Sequence, residues 1–293
     1  MDSGQIRRLL LLFLAAQLLG IFAGAALVQS ALAYPVEFEG LNVAPGGESG
    51  SALSSLLFLA YIVAGAVAMI IVLRFYKGVL LFRLVEAFML LGASGILFFV
   101  LFGWFGVPHF ELLALACALG VAAAKFFVPD LKNFAAVLAS AGVGAVFGFS
   151  LDFFPAAVFV VGLSVYDYLS VFWTRHMVYM ARELGSKNLS FSVSATSMEA
   201  PGEGGKPVRT TLELGTGDLV VPILLSVSAY KLAFSPVDAF AVTFGSLTGL
   251  CIVLWYVSSR RTFLPALPPI TFCALLALGL SRALGWGYLL ITR

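Results

Sequence analysis

Residues 154–177 read FPAAVFVVGLSVYDYLSVFWTRHM, and up to Arg175 the only charged side chain among them is Asp167. About 20 consecutive apolar residues form a helix as long as a hydrocarbon core about 30 Å thick. The stretch therefore reads as a membrane-spanning helix that carries an acid at depth, about 20 Å from its outer end at 1.5 Å per residue. No basic residue stands three or four positions to either side of Asp167. An ionisable group placed there is costly to keep in a bilayer and marks a functional site by default.

Working outward, nine runs of this kind are legible: 8–33, 52–73, 79–103, 109–128, 132–150, 154–177, 214–233, 236–258 and 264–290. Hydrophobic residues make up 61% of the chain and charged residues 11%, with a mean hydropathy of +1.04. A soluble domain carries about 25% charged residues, so that class is excluded. Arg7 and Arg8 precede the first run as in a signal peptide, but the run is far longer than a signal's apolar region and reads as a retained helix. With the amino terminus inside, 14 of the 17 basic residues fall on the inner side, and Lys231, Arg282 and Arg293 on the outer. An odd number of helices then places the carboxyl terminus outside. The fold class is an all-α membrane protein of nine transmembrane helices. Residues 1–180 form a six-helix part and residues 214–293 a three-helix part. Residues 181–213 join them as a cytoplasmic loop whose Gly, Ser, Thr, Lys and Pro content reads as flexible.

Several chemistries lack their residues. Cys117, Cys251 and Cys273 share no metal-ligand spacing and read as small buried hydrophobes. Without a His-Glu-x-x-His motif an intramembrane zinc protease is excluded. Gly92-Ala93-Ser94-Gly95 matches a serine-nucleophile motif, but His176 is the one histidine near helical depth. Helix packing through small residues is the better reading. Arg83 and Glu86, three apart, read as a self-neutralising pair, and Asp130, Asp152 and Asp238 as solvated loop acids.

Asp218, in Leu214-Gly215-Thr216-Gly217-Asp218, lies about one turn into the seventh helix from the inner face. It joins Asp167 on the consecutive, antiparallel helix. Two carboxyls a few ångströms apart cannot both ionise and share one proton. One then draws a proton from a water, while the other donates to a substrate carbonyl as the water attacks. Neither metal nor cofactor is needed. Proton-coupled transport or an ion leak through the same acids is the alternative. Gly215 and Gly217 weigh towards the protease. They cost helix stability, yet they suit an extended segment that could pair with an unwound substrate strand.

Tyr166-Asp167 on the sixth helix, Gly215-Thr216-Gly217-Asp218 on the seventh and Pro265-Ala266-Leu267 opening the ninth resemble the three signatures of the presenilin and signal-peptide-peptidase family of GxGD intramembrane aspartyl proteases. The helix count and the long loop after the sixth helix match too, so the resemblance covers essentially the whole chain. It implies Asp167 and Asp218 as the catalytic pair. Tyr166, Gly215, Thr216, Gly217, Pro265, Ala266 and Leu267 become active-site and substrate-binding positions. The partners it implies are transmembrane segments of substrate proteins within membrane lipid. Nucleic acid is not among them, obligatory subunits are not implied, and homo-oligomerisation stays open. Thr216 stands where presenilins commonly have leucine, which bears on substrate preference. The loop lacks the apolar segment at which presenilins cleave themselves. Type IV prepilin peptidases also use Gly-x-Gly-Asp, but their other signatures fit less well. Short loops suggest a compact archaeal homologue in a prokaryotic cell membrane.

Pro265, Pro268 and Pro269 remove backbone donors and prevent a regular start to the ninth helix. Irregular backbone at membrane depth is tolerated where protein or a water cavity covers it. If the sixth helix ran to Arg175, Asp167 would lie about 12 Å from its inner end and Asp218 about 6 Å from its own. Pairing therefore predicts that the sixth helix breaks before Arg175.

Overall fold

The apolar runs become nine helices among the described residues. The structure, a computed structural model, describes residues 3–33, 42–44, 50–76, 78–173, 192–199, 208–260 and 264–285. In chain order the helices are α1 (Ser3–Ala33), α2 (Ala52–Phe75), α3 (Leu80–Trp104), α4 (Phe110–Phe127), α5 (Lys132–Ser150), α6 (Phe153–Phe172), α7 (Thr216–Ala233), α8 (Pro236–Arg260) and α9 (Leu267–Ala283). Eight are long and apolar enough to cross a membrane, and α9, at 17 residues, is shorter. The proline pair Pro268 and Pro269 in its first turn delays its start beyond the predicted 264. α6 ends at Phe172, before Arg175.

α7 is the hub. Every residue from Val221 to Tyr230 is buried, and α1, α5, α6, α8 and α9 all pack on it. Small residues let the neighbours in. Gly20 and Gly24 of α1 and Gly144 and Gly148 of α5 meet Ile223 and Val227 of α7, four residues apart on each helix. A methyl added at Gly144 or Gly148 would fall 2.6 Å from the Cβ of Ile223 or Val227. Between helices in lipid the hydrophobic effect is weak, so this close van der Waals contact supplies the cohesion. The Gly92–Gly95 segment serves the same end. Ser94 donates to the carbonyl of Leu90 in its own helix, and the backbone of Ala93 lies against Gly142.

One element departs from the all-α reading. Ser192–Glu199 (β1) and Val208–Gly215 (β2) form an antiparallel hairpin, in register Val193 with Leu214 and Ala195 with Leu212. These four apolar side chains alternate with polar ones along each strand, the period that puts them on one face. That face packs against Leu9 and Phe13 of α1 within the main core. Asn133 at the start of α5 clamps the hairpin, donating to Ser194 O at 2.8 Å and accepting from Ser194 N at 2.8 Å. The part of 181–213 that the structure describes is thus ordered sheet. The reading by composition counted its polar residues and overlooked their alternation.

Three charge assignments also change. Glu86 has Lys125 of α4 as a buried ion-pair partner, while the Arg83 guanidinium lies 5.8 Å from the Phe126 ring. Asp238 is buried, its Oδ2 2.6 Å from Arg282 Nη2, because it sits in the first turn of α8 against the end of α9. Asp152 meets Lys231 at 2.8 Å. The cysteines are also less buried than expected: Cys251 is exposed on the outer face of α8, and Cys117 and Cys273 are half-buried. Arg175 and His176, the terminal residues 1–2 and 286–293, and loop residues 174–191 and 200–207 lie outside the described residues.

Candidate active site

The site is built where α6 ends, α7 begins and α9 begins. Asp167 stands five residues before the end of α6, about 8 Å from it. Asp218 is the third residue of α7, about 4 Å from its start. The early end of α6 brings the two acids to similar depth. Both line one cavity of about 400 Å³.

Each acid is held by backbone. Asp167 is 7% exposed, and its Oδ2 accepts from the Leu267 N–H at 3.2 Å. The prolines explain why. Pro268 and Pro269 have no N–H, and the Ile270 N–H turns back to Ala266 O at 3.3 Å. The donors left at the amino-terminal end of α9 are then those of Ala266 and Leu267, and that of Leu267 goes to Asp167. The positive end of the helix dipole faces the acid as well. One turn further on, the hydroxyls of Ser164 and Thr271 share a hydrogen bond of 2.8 Å that fixes α6 to α9. A Cβ at Gly215 would lie 3.4 Å from Asp218 Oδ2, so the carboxyl rests on bare backbone.

Of the other residues singled out in the sequence, Tyr166, Gly215, Thr216, Gly217 and Leu267 line the same cavity. Pro265 and Ala266 are buried beside it. β2 runs directly into α7, so the extended backbone of Leu214 and Gly215 ends at the cavity. At Gly217 a Cβ would meet nothing within 4 Å, and the space stays open. Most of the remaining wall is apolar, with Met89, Leu90, Val143, Phe159 and Leu163 among its residues.

The sequence reading missed three contributors. Gln17 of α1, fully buried, donates to Leu219 O at 3.0 Å and supports the first turn of α7. A lone polar amide in the middle of an apolar run was its signal. Glu86 and Ser140 line the cavity from α3 and α5. Among the described residues no group of three or more His, Cys, Asp or Glu could hold a metal ion.

The family model for signal-peptide peptidase, presenilin aspartyl protease matches residues 19–278. The chain belongs to this family. Two solved structures of a presenilin family intramembrane aspartate protease are similar throughout. The one in space group C222 is 26% identical, with a TM-score of 0.68 over 95% of this chain and 99% of its own. The one in space group P2 is 26% identical, with a TM-score of 0.63 over 94% of this chain and 96% of its own. Among curated proteins compared by sequence, none matches. As a presenilin-family protein the chain is an integral, multi-pass membrane protein and an aspartic-type intramembrane protease. The family's activity implies membrane-embedded substrates. The transporter alternative has no support from these relatives.

Proposed function

We propose that Asp167 and Asp218 are the catalytic pair of this protease and hydrolyse peptide bonds within transmembrane segments. The observation that carries the reading is that both acids line one cavity at the point where an extended strand runs into the helix of the second acid. A peptide bond inside a helix is shielded by its own turn, so the substrate must unwind. β2 uses one edge to pair with β1. Its other edge can receive an extended substrate by strand addition, which would bring the scissile carbonyl between the acids.

The pair shares one proton. The ionised member takes a proton from a water, and the water oxygen attacks the carbonyl carbon. The protonated member donates to the carbonyl oxygen, and the amine leaves with a proton returned by the pair. No covalent intermediate forms. Leu267 orients Asp167 through its backbone donor, and Tyr166, Thr216 and Gly217 shape the ground beside it. Thr216, at the variable position of the Gly-x-Gly-Asp motif, acts on substrate preference. The excess of Lys and Arg on one set of loops places the amino terminus, the hairpin and the catalytic ends of α6 and α7 on the inner side. An archaeal origin fits the short loops.

The test is cleavage of a single-span substrate by purified protein in liposomes, with products read by mass. Cleavage inside the span by wild type, lost in both Asp167→Ala and Asp218→Ala, is the expected result. Activity surviving in either variant would remove that residue from the pair.

A further inference from the structure

Ser140 lies on α5 and lines the cavity that holds Asp167 and Asp218. It is 1% exposed, and its hydroxyl has no hydrogen-bond partner among the described residues. Several other buried hydroxyls in these helices satisfy themselves on the carbonyl one turn back, while Ser281 near the end of α9, away from the cavity, shares the lack of a partner. Ser150 donates to Val146 O, Ser164 to Val160 O and Ser246 to Val242 O, each at 2.8 Å. Ser140 does not make this bond. An unsatisfied hydroxyl carries its full desolvation penalty. Of the other polar groups of the cavity wall, Glu86 is engaged with Lys125 and Asp167 with the Leu267 N–H.

A bound substrate supplies the missing partner. An extended strand has two edges, and strand addition satisfies one of them. The N–H and C=O groups of the other edge face a wall that includes Leu90, Val143 and Leu163. Unpaired backbone groups in such surroundings are costly. A serine hydroxyl both donates and accepts, so it can serve either kind of group.

We propose that Ser140 is a substrate-binding residue whose hydroxyl takes the hydrogen bond of one backbone peptide group of the unwound substrate on the α5 wall. The inference rests on the protease reading above. It makes Ser140 a group whose polarity harms the free protein and serves the complex.

The experiment uses wild type and Ser140→Ala in liposomes. The single-span substrates carry a backbone ester in place of one amide at a time around the scissile bond. An ester lacks the N–H and is a weaker acceptor. The expected result has three parts. Ser140→Ala cleaves the all-amide substrate with kcat/KM lowered about tenfold, the worth of one buried hydrogen bond. Its thermal unfolding temperature is equal to or above wild type. At one ester position the loss seen in wild type disappears in Ser140→Ala. Wild-type rates in Ser140→Ala would overturn the inference. So would ester losses identical in the two enzymes at every position, since the hydroxyl then holds a water or merely packs. A lowered unfolding temperature accompanying the rate loss would also overturn it, by assigning Ser140 to the fold. Failure of wild type to cleave any substrate would instead overturn the protease reading and this inference with it.

Discussion

Gly217 has no side chain at the one point in the first turn of α7 where space stays open to the cavity. In a helix, alanine is more stable than glycine by about 1 kcal/mol, so Gly217→Ala is expected to stabilise the free protein slightly. The added methyl takes substrate room beside Asp218, and cleavage is expected to fall at least about tenfold. Thermal unfolding and initial rates in the same preparation check both halves, and an unchanged rate would show that the open space serves no substrate. At the other end of the bundle, Arg282→Met leaves Asp238 buried without its 2.6 Å partner. Removing one member of a buried pair costs about 3–5 kcal/mol. The lower end applies because the arginine is about a third exposed. A thermal unfolding temperature within about 1 °C of wild type would count against this pairing. At this scale the acids, glycines and prolines of the site were legible, because charge, flexibility and a missing N–H are properties of single residues. The partners of Glu86 and Asp238 were not, since they come from helices distant in the chain.

The hairpin shows where reading by element failed and why. The apolar helices announce themselves through 20-residue runs, and most of their ends were found to within about five residues, although α9 stops at Ala283, well short of the expected 290. β1 and β2 offer only three apolar side chains each, set among serines, threonines, Arg209 and two glutamates. Such a signal is weaker than the Gly and Pro content around it. Its period of two was present in Val193 and Ala195, and in Leu212 and Leu214. What holds the hairpin is the Asn133 amide, with two bonds of 2.8 Å to Ser194, and a bond of 3.4 Å from the buried Gln5 to Ala195 O. Asn133→Ala removes the two-bond clamp and is expected to weaken docking by about 1–3 kcal/mol. Amide hydrogen exchange over 192–199 and 208–215 should accelerate roughly tenfold or more. Cleavage should fall in step, because β2 is continuous with the helix of Asp218. Faster exchange with undiminished cleavage would separate the hairpin from catalysis.

Across the whole molecule, the position of Asp218 depends on α7 lying in a slot lined by glycines. Gly20 and Gly24 face it from α1, and Gly144 and Gly148 from α5, while Ile223 and Val227 fill both sides. The slot puts α7 at the centre of a bundle whose outer helices, α2 and α4, are mostly exposed to lipid. Small residues in a spanning helix suggested close packing from the sequence, but which helices met could not be read from spacing alone. Gly148→Leu places a branched side chain where even a Cβ falls 2.6 Å from Val227 and 2.7 Å from the Leu224 carbonyl oxygen. Backbone cannot yield as a side chain can, so the cost should exceed the usual 1–3 kcal/mol of overpacking. α7 must shift or leave the slot, and cleavage is expected to be lost although no cavity residue has changed. Gly120→Ala on α4, where nothing lies within 4 Å, is the matched control. Unfolding temperature and cleavage should both stay at wild-type level there. If Gly148→Leu behaves like the control, α7 is not held by this slot and the depth of Asp218 must be set by the hairpin alone.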